Sequence, residues 1–208
     1  MTATVDRRPD ATAPEAGFLA RVTAWVLAVG GGIGLLAATT LTVEKINLLA
    51  DADYVPTCSI NPILSCGSVM ITPQAAAFGI PNPLIGIAGF AVVTTIGVIL
   101  LAGVRLPGWC WLGLQAGATF GVVFVHWLVY QSLYVISALC PYCMVVWVVT
   151  IAIFLYTTLH NLRRLPPSSP LARLAEVASY HSFILVTWYV VILLAILVRF
   201  WDYWSTLG

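Results

Sequence analysis

The chain has 208 residues, 61% hydrophobic and only 8% charged, with a mean hydropathy of +0.98 and a formal net charge of +1. Such a composition excludes an ordinary water-soluble domain, and with no basic block it gives no ground for a nucleic-acid partner. A bilayer core takes about 20 apolar residues per crossing helix. Five stretches meet that length, so the expected fold is an all-α membrane protein with five transmembrane helices.

Residues 1–16 are polar and Ala/Pro-rich, with Arg7, Arg8, Asp6, Asp10 and Glu15. They read as a disordered tail ahead of a membrane domain over 17–208. The first span runs from about Phe18 to Leu41. Its apolar core is too long for a signal peptide and no convincing A-x-A site stands ahead of the polar loop, so it reads as a retained helix. Gly30–Gly34 is a small-residue patch suited to close helix packing.

Residues 44–82 form the one substantial loop. It carries Glu44, Lys45, Asp51 and Asp53, then Cys58 and Cys66 separated by seven residues. Glu44 and Lys45 read as interface anchors or as a pair at the top of span one. Prolines 56, 62, 73 and 81, with Pro83 just beyond, break regular structure and suggest a mobile loop. Gln74–Phe78 suits a short helix on the membrane surface.

The second span is about Pro83–Val104, and Arg105-Leu-Pro-Gly makes a tight turn. The third, about Trp109–Tyr134, has Gly113, Gly117 and Gly121 at every fourth position, a flat face for another helix. His126 and Gln131 are polar at membrane depth. His126 reads as hydrogen-bonded to a neighbouring helix, with a proton relay as the alternative. After a short uncharged link at 135–139, the fourth span runs from about Pro141 to His160. A basic Pro/Ser-rich loop covers 161–179. The fifth span is about Tyr180–Phe200 and closes with Trp201, Tyr203 and Trp204, an aromatic interface belt.

At the start of the fourth span stands Cys140-Pro141-Tyr142-Cys143. Proline suits the first helical position, because its missing N–H would be unsatisfied there anyway. Cys140 is therefore expected at the helix N-cap with Cys143 one turn in, where a helix N-terminus favours a thiolate. The C-x-x-C pair is a candidate redox couple. A static disulfide or two buried thiols remain the alternatives.

Seven of the nine basic residues (Arg7, Arg8, Arg21, Arg105, Arg163, Arg164, Arg173) fall on one side of the five spans, against Lys45 and Arg199 on the other. Positive charge favours the cytoplasmic side, so the N-terminus is expected inside. Both cysteine pairs then share the outer, oxidising face of the cell membrane. Two pairs on one face, one in a loop and one at a helix start, can exchange electrons. Cys110 falls at the other end and reads as a small apolar residue.

These residues resemble the bacterial homologues of vitamin K epoxide reductase (VKOR). The likeness rests on the C-x7-C loop pair, Ser68-Val69-Met70, Pro81-Asn82-Pro83-Leu84-Ile85-Gly86 and Cys140-Pro-Tyr-Cys143, and extends from span one through span five. It implies a four-helix bundle holding a quinone near the external surface, with a peripheral fifth helix. It also implies a thiol:quinone oxidoreductase that reoxidises an extracytoplasmic thioredoxin-fold partner and supports disulfide formation. The chain stops shortly after span five, so the resemblance implies a separate DsbA-like partner. Electrons would pass from Cys58/Cys66 to Cys140/Cys143 and on to menaquinone or ubiquinone. Asn82 matches the asparagine that binds a ring carbonyl. Trp147 stands where many relatives have tyrosine, and Thr72 where the family has a hydroxyl. No metal is implied.

A DsbB-type quinone-linked oxidase also uses two outer cysteine pairs, but with four spans and the pairs in the reverse order. A vitamin K epoxide reductase would need the same cysteines. A soft-metal site lacks an accompanying His or Met cluster. A transporter with structural disulfides would carry charged or broken helices at mid-membrane.

Overall fold

The computed structural model describes residues 13–51, 53–165 and 180–206. Residues 1–12 of the expected tail, and 166–179 of the basic loop with Arg173, lie outside the described residues. Helix begins at Ala13, inside the stretch expected to be a tail.

Helix α1 runs Ala13–Trp25, passes through a π-helical turn at Val26–Gly30, and continues over Gly31–Ala50. It does not stop near Leu41, because nothing between Leu41 and Ala50 breaks a helix. Glu44 and Lys45 thus belong to α1, and the loop is 51–81 rather than 44–82. Adjacent residues on a helix point in different directions, so the two charges serve separate bonds instead of pairing.

The loop contains a single-turn helix, α2 (Cys66–Met70), capped by Ser65, and a 3₁₀ turn at Pro73–Ala76 that replaces the helix expected at 74–78. Then come α3 (Asn82–Leu101), with Pro83 in its first turn, and α4 (Gly108–Tyr130), which runs into a π-helical turn at Gln131–Ile136. Helix α5 (Pro141–Leu162), α6 (His181–Arg199) and the short α7 (Trp201–Ser205) complete the order. Five of these helices are long and apolar enough to cross a membrane.

Helices α1, α3, α4 and α5 form the bundle, with α1 against α3 and α5, and α4 against α5. Without a hydrophobic drive between helices in lipid, close backbone approach matters most. The α1/α3 contact shows it: a Cβ on Gly97 would collide with the backbone of Ala28, and one on Gly34 would sit 2.5 Å from the Phe90 ring. Helix α6 lies outside the bundle on α5, its Phe183, Val186 and Val190 exposed. Among the described residues, it is held by Trp188 Nε1 donating to His126 Nε2 (2.9 Å), the Tyr189 hydroxyl donating to the Val148 carbonyl (2.9 Å) and Arg199 Nη2 donating to Ser137 Oγ (2.9 Å). His126 therefore ties the fifth span to the bundle, and its Nδ1 faces the Val122 carbonyl at 2.7 Å.

The Gly113/Gly117/Gly121 face does not receive a helix as expected. A Cβ on Gly113 or Gly117 would meet nothing within 4 Å; only at Gly121 does Thr150 come close, at 3.3 Å. The stripe instead lines a cavity whose walls come from α1, α3, α4, α5 and the loop.

Candidate active site

The loop is folded, not loose. Glu44, 5% exposed, accepts hydrogen bonds from the Tyr54 hydroxyl and from the Thr57 N–H and hydroxyl. Lys45 Nζ donates to the Met70 carbonyl at 2.8 Å. Asn61 Oδ1 accepts from the Ile63 and Leu64 N–H groups, and Ser59 Oγ from the Gly67 N–H. Side-chain oxygens of Asn and Ser commonly organise turns this way, so a composition that reads as mobile gives a tethered structure here.

One backbone contact joins the loop to the fourth span. Leu64 and Leu139 form an isolated parallel bridge: Leu139 N–H donates to the Ile63 carbonyl (2.7 Å), and Ser65 N–H to the Leu139 carbonyl (2.9 Å). Each residue of the bridge is followed within two positions by a cysteine that starts a helix. Cys66 is the first residue of α2, and Cys140 is the N-cap of α5, followed by Pro141. The bridge brings Cys66 Sγ to 3.0 Å from Cys140 Sγ. Cys58 and Cys66 are joined by a disulfide, and Cys140 and Cys143 are thiols. The sulfurs of Cys58, Cys66 and Cys140 lie within 4.8 Å of one another.

The cluster is dry. Cys58, Cys66 and Cys140 are at most 6% exposed and pack with Leu41 and Met70. A buried disulfide next to a thiol can exchange with it while water and competing thiols stay out.

Such a pairing, a loop disulfide poised over a C-x-x-C helix start in a four-helix membrane bundle, agrees with the sequence comparison. The family model for the vitamin K epoxide reductase family matches residues 25–158, about two thirds of the chain. The chain belongs to the vitamin K epoxide reductase family. The match spans α1 through α5 and leaves α6 outside it, so the fifth span is not part of the matched region although the resemblance extended that far. No curated protein matches the chain significantly. As a member of the family, it is a multi-pass membrane thiol oxidoreductase with redox cysteines.

Quinone-type molecules are the substrates of this family, and the cavity tests whether one fits. It has a volume of about 580 Å³, lies within the bundle and is lined by both Cys140 and Cys143. Its walls are mainly apolar, from Leu114, Val146, Phe90 and the glycine stripe. Ligand pockets of small molecules fall at roughly 300–1,000 Å³ with few polar groups. Trp147, one turn after Cys143, is buried on the wall, and its Nε1–H has no partner among the described residues. A buried N–H left unpaired costs about 1–3 kcal/mol; the Nε1 atom is itself covered, so a ring carbonyl would meet it only once the indole turns toward the cavity. The residues present fit a quinone.

The other two expected ligands are placed differently. Asn82 lines the cavity, but its Oδ1 accepts from the Ala77 N–H (3.0 Å) and its Nδ2 donates to the Gln74 carbonyl (2.7 Å). It clamps the turn over the cavity and keeps one amide N–H for other use. Thr72 lies off the wall and donates its hydroxyl to the Val69 carbonyl at 2.7 Å. Two wall residues escaped sequence reasoning. Ser132 is carried inward by the π-helical turn at 131–136, which hydropathy does not reveal, and Lys45 was read as part of a loop. Cys110 also lies on the wall, far along α4 from the other cysteines.

Proposed function

We propose that the protein oxidises the thiols of a thioredoxin-fold, DsbA-like partner and delivers the electrons to a membrane quinone, menaquinone or ubiquinone. The observation that carries this reading is the 3.0 Å approach of Cys66 to Cys140 at the rim of an apolar cavity that holds Cys140 and Cys143. The Lys/Arg asymmetry supports a membrane orientation with the cysteines on the extracytoplasmic face, where disulfides persist.

The relay is a series of balanced exchanges. A partner thiolate attacks Cys58 and releases Cys66 as a thiolate. The partner's second thiol resolves the mixed disulfide, leaving the partner oxidised and Cys58 and Cys66 reduced. Cys66 then attacks Cys140 in a Cys140–Cys143 disulfide and releases Cys143. Cys58 attacks Cys66, restores the loop disulfide and releases Cys140. The product state has a loop disulfide and two α5 thiols, the same covalent arrangement as the one described above.

A bound quinone supplies the final acceptor of two electrons and two protons. Cys140 and Cys143 close their own disulfide and give up those electrons and both thiol protons. Trp147 Nε1–H and the free amide N–H of Asn82 orient the ring, and the apolar wall excludes water. Cys58 is covered in this state, so the partner reaches it only when the Glu44 tether to Thr57 and Tyr54 opens.

The test is quinone reduction by purified protein, using a reduced thioredoxin-fold protein or a small dithiol as donor. Cys140→Ala and Cys143→Ala are expected to abolish turnover with both donors. Cys58→Ala and Cys66→Ala are expected to lose chiefly the protein-driven reaction. Continued quinone reduction by all four variants would contradict the proposal.

A further inference from the structure

Among the described residues, the cavity wall carries one charged side chain, Lys45, and the relay above does not use it. Lys45 follows Leu41 by one turn of α1, and Leu41 packs against Cys58, Cys66 and Cys140. The lysine thus stands on the helix face that meets the cysteine cluster. A lysine near a membrane surface ordinarily extends its head group into water. Here the ammonium is half-buried and donates to the Met70 carbonyl at 2.8 Å, which holds it at the loop end of the cavity. An ammonium has three N–H groups, so this bond leaves two for another acceptor.

Apolar walls strengthen any charge interaction inside the cavity, because the local dielectric is low. We propose that Lys45 is the cationic partner of the cavity's ligand: its ammonium hydrogen-bonds the quinone oxygen nearest the loop and stabilises negative charge arriving there. This rests on the quinone reading above and adds to it a preference for electron-rich or anionic quinones. Trp147 and Lys45 then divide the work, a neutral donor beside Cys143 and a charged donor on α1.

The preference can be read by equilibrium binding to the full chain, without any donor and so without turnover. The ligands are 2,3-dimethyl-1,4-naphthoquinone, which is neutral, and 2-hydroxy-3-methyl-1,4-naphthoquinone, which is an anion at neutral pH. Both are blocked against thiol addition, and tryptophan quenching reports their affinity. Wild type is expected to bind the anion about tenfold more tightly, the scale of one charge-assisted hydrogen bond. Lys45→Gln is expected to bind the neutral quinone while losing the preference, and Lys45→Arg to keep it. Should the glutamine variant fail to fold, Lys45→Met takes its place. A wild type that binds both ligands equally, or an uncharged variant that keeps the preference, overturns the inference alone. A wild type that binds neither overturns the inference together with the quinone reading.

Discussion

Trp147 and Asn82 separate two ways in which a polar group can serve a cavity. Trp147 has an N–H without a partner among the described residues. Trp147→Phe removes that donor and keeps an aromatic ring, though a smaller one, in the cluster with Leu133 and Phe200. It should weaken quinone binding by about fivefold, equivalent to about 1 kcal/mol for one hydrogen bond, while the cavity left by the smaller ring lowers thermal stability only modestly, since the unpaired buried donor goes with the indole. A titration of quinone against the variant checks this, and an unchanged affinity would place the ligand elsewhere. Asn82 spends most of its amide on the backbone of Gln74 and Ala77, so Asn82→Ala should also loosen the turn at 73–77 and lower the melting temperature. Residue identity alone did not separate these roles, because an asparagine beside two prolines has the same sequence signature whether it holds a turn or a ring. The cysteine pairs were legible at this scale from spacing alone. The 3.0 Å approach between them was not, since it depends on a backbone bridge between Leu64 and Leu139, two residues without any motif.

At the scale of elements, the loop and α4 departed furthest from expectation. Proline and glycine content suggests a loop free to swing, yet Glu44 holds its first part and Lys45 the α2 turn at its middle, both from α1. Glu44→Gln removes the charge from a buried acceptor of three hydrogen bonds. It should destabilise the loop by about 2 kcal/mol and speed reduction of the Cys58–Cys66 disulfide by a small dithiol, measured as thiol release in stopped flow. The glycine stripe of α4 carries a second prediction. Gly117→Leu improves helix propensity, by up to about 1 kcal/mol, and its Cβ meets no neighbour within 4 Å, but the side chain fills part of the cavity that the glycine lines. Quinone reduction should fall while the protein stays folded and Cys66 still exchanges with Cys140. A periodic stripe of small residues reads the same in sequence whether it admits a helix or leaves a space.

For the whole molecule, span number and order were legible because a membrane imposes length and hydropathy on every crossing helix. The two-turn extension of α1 and the π-helical turns were not, since both keep ordinary helical composition. The molecule joins an apolar cavity within the bundle to the Cys58–Cys66 loop, and the junction is one sulfur–sulfur contact; in the proposed function the cavity takes a lipid-soluble acceptor and the loop meets a protein donor. The fifth span stands outside this chamber but is bonded to it through Trp188 and His126. Trp188→Phe should therefore lower stability by about 1 kcal/mol without altering exchange between the cysteine pairs. The account depends most on that exchange. Peptide mapping by mass spectrometry under non-reducing conditions, on the Cys58→Ala/Cys143→Ala double variant after mild oxidation, tests it directly. A Cys66–Cys140 cross-link as the dominant species is the predicted result. A variant in which both cysteines remain free or pair with other thiols would contradict the relay.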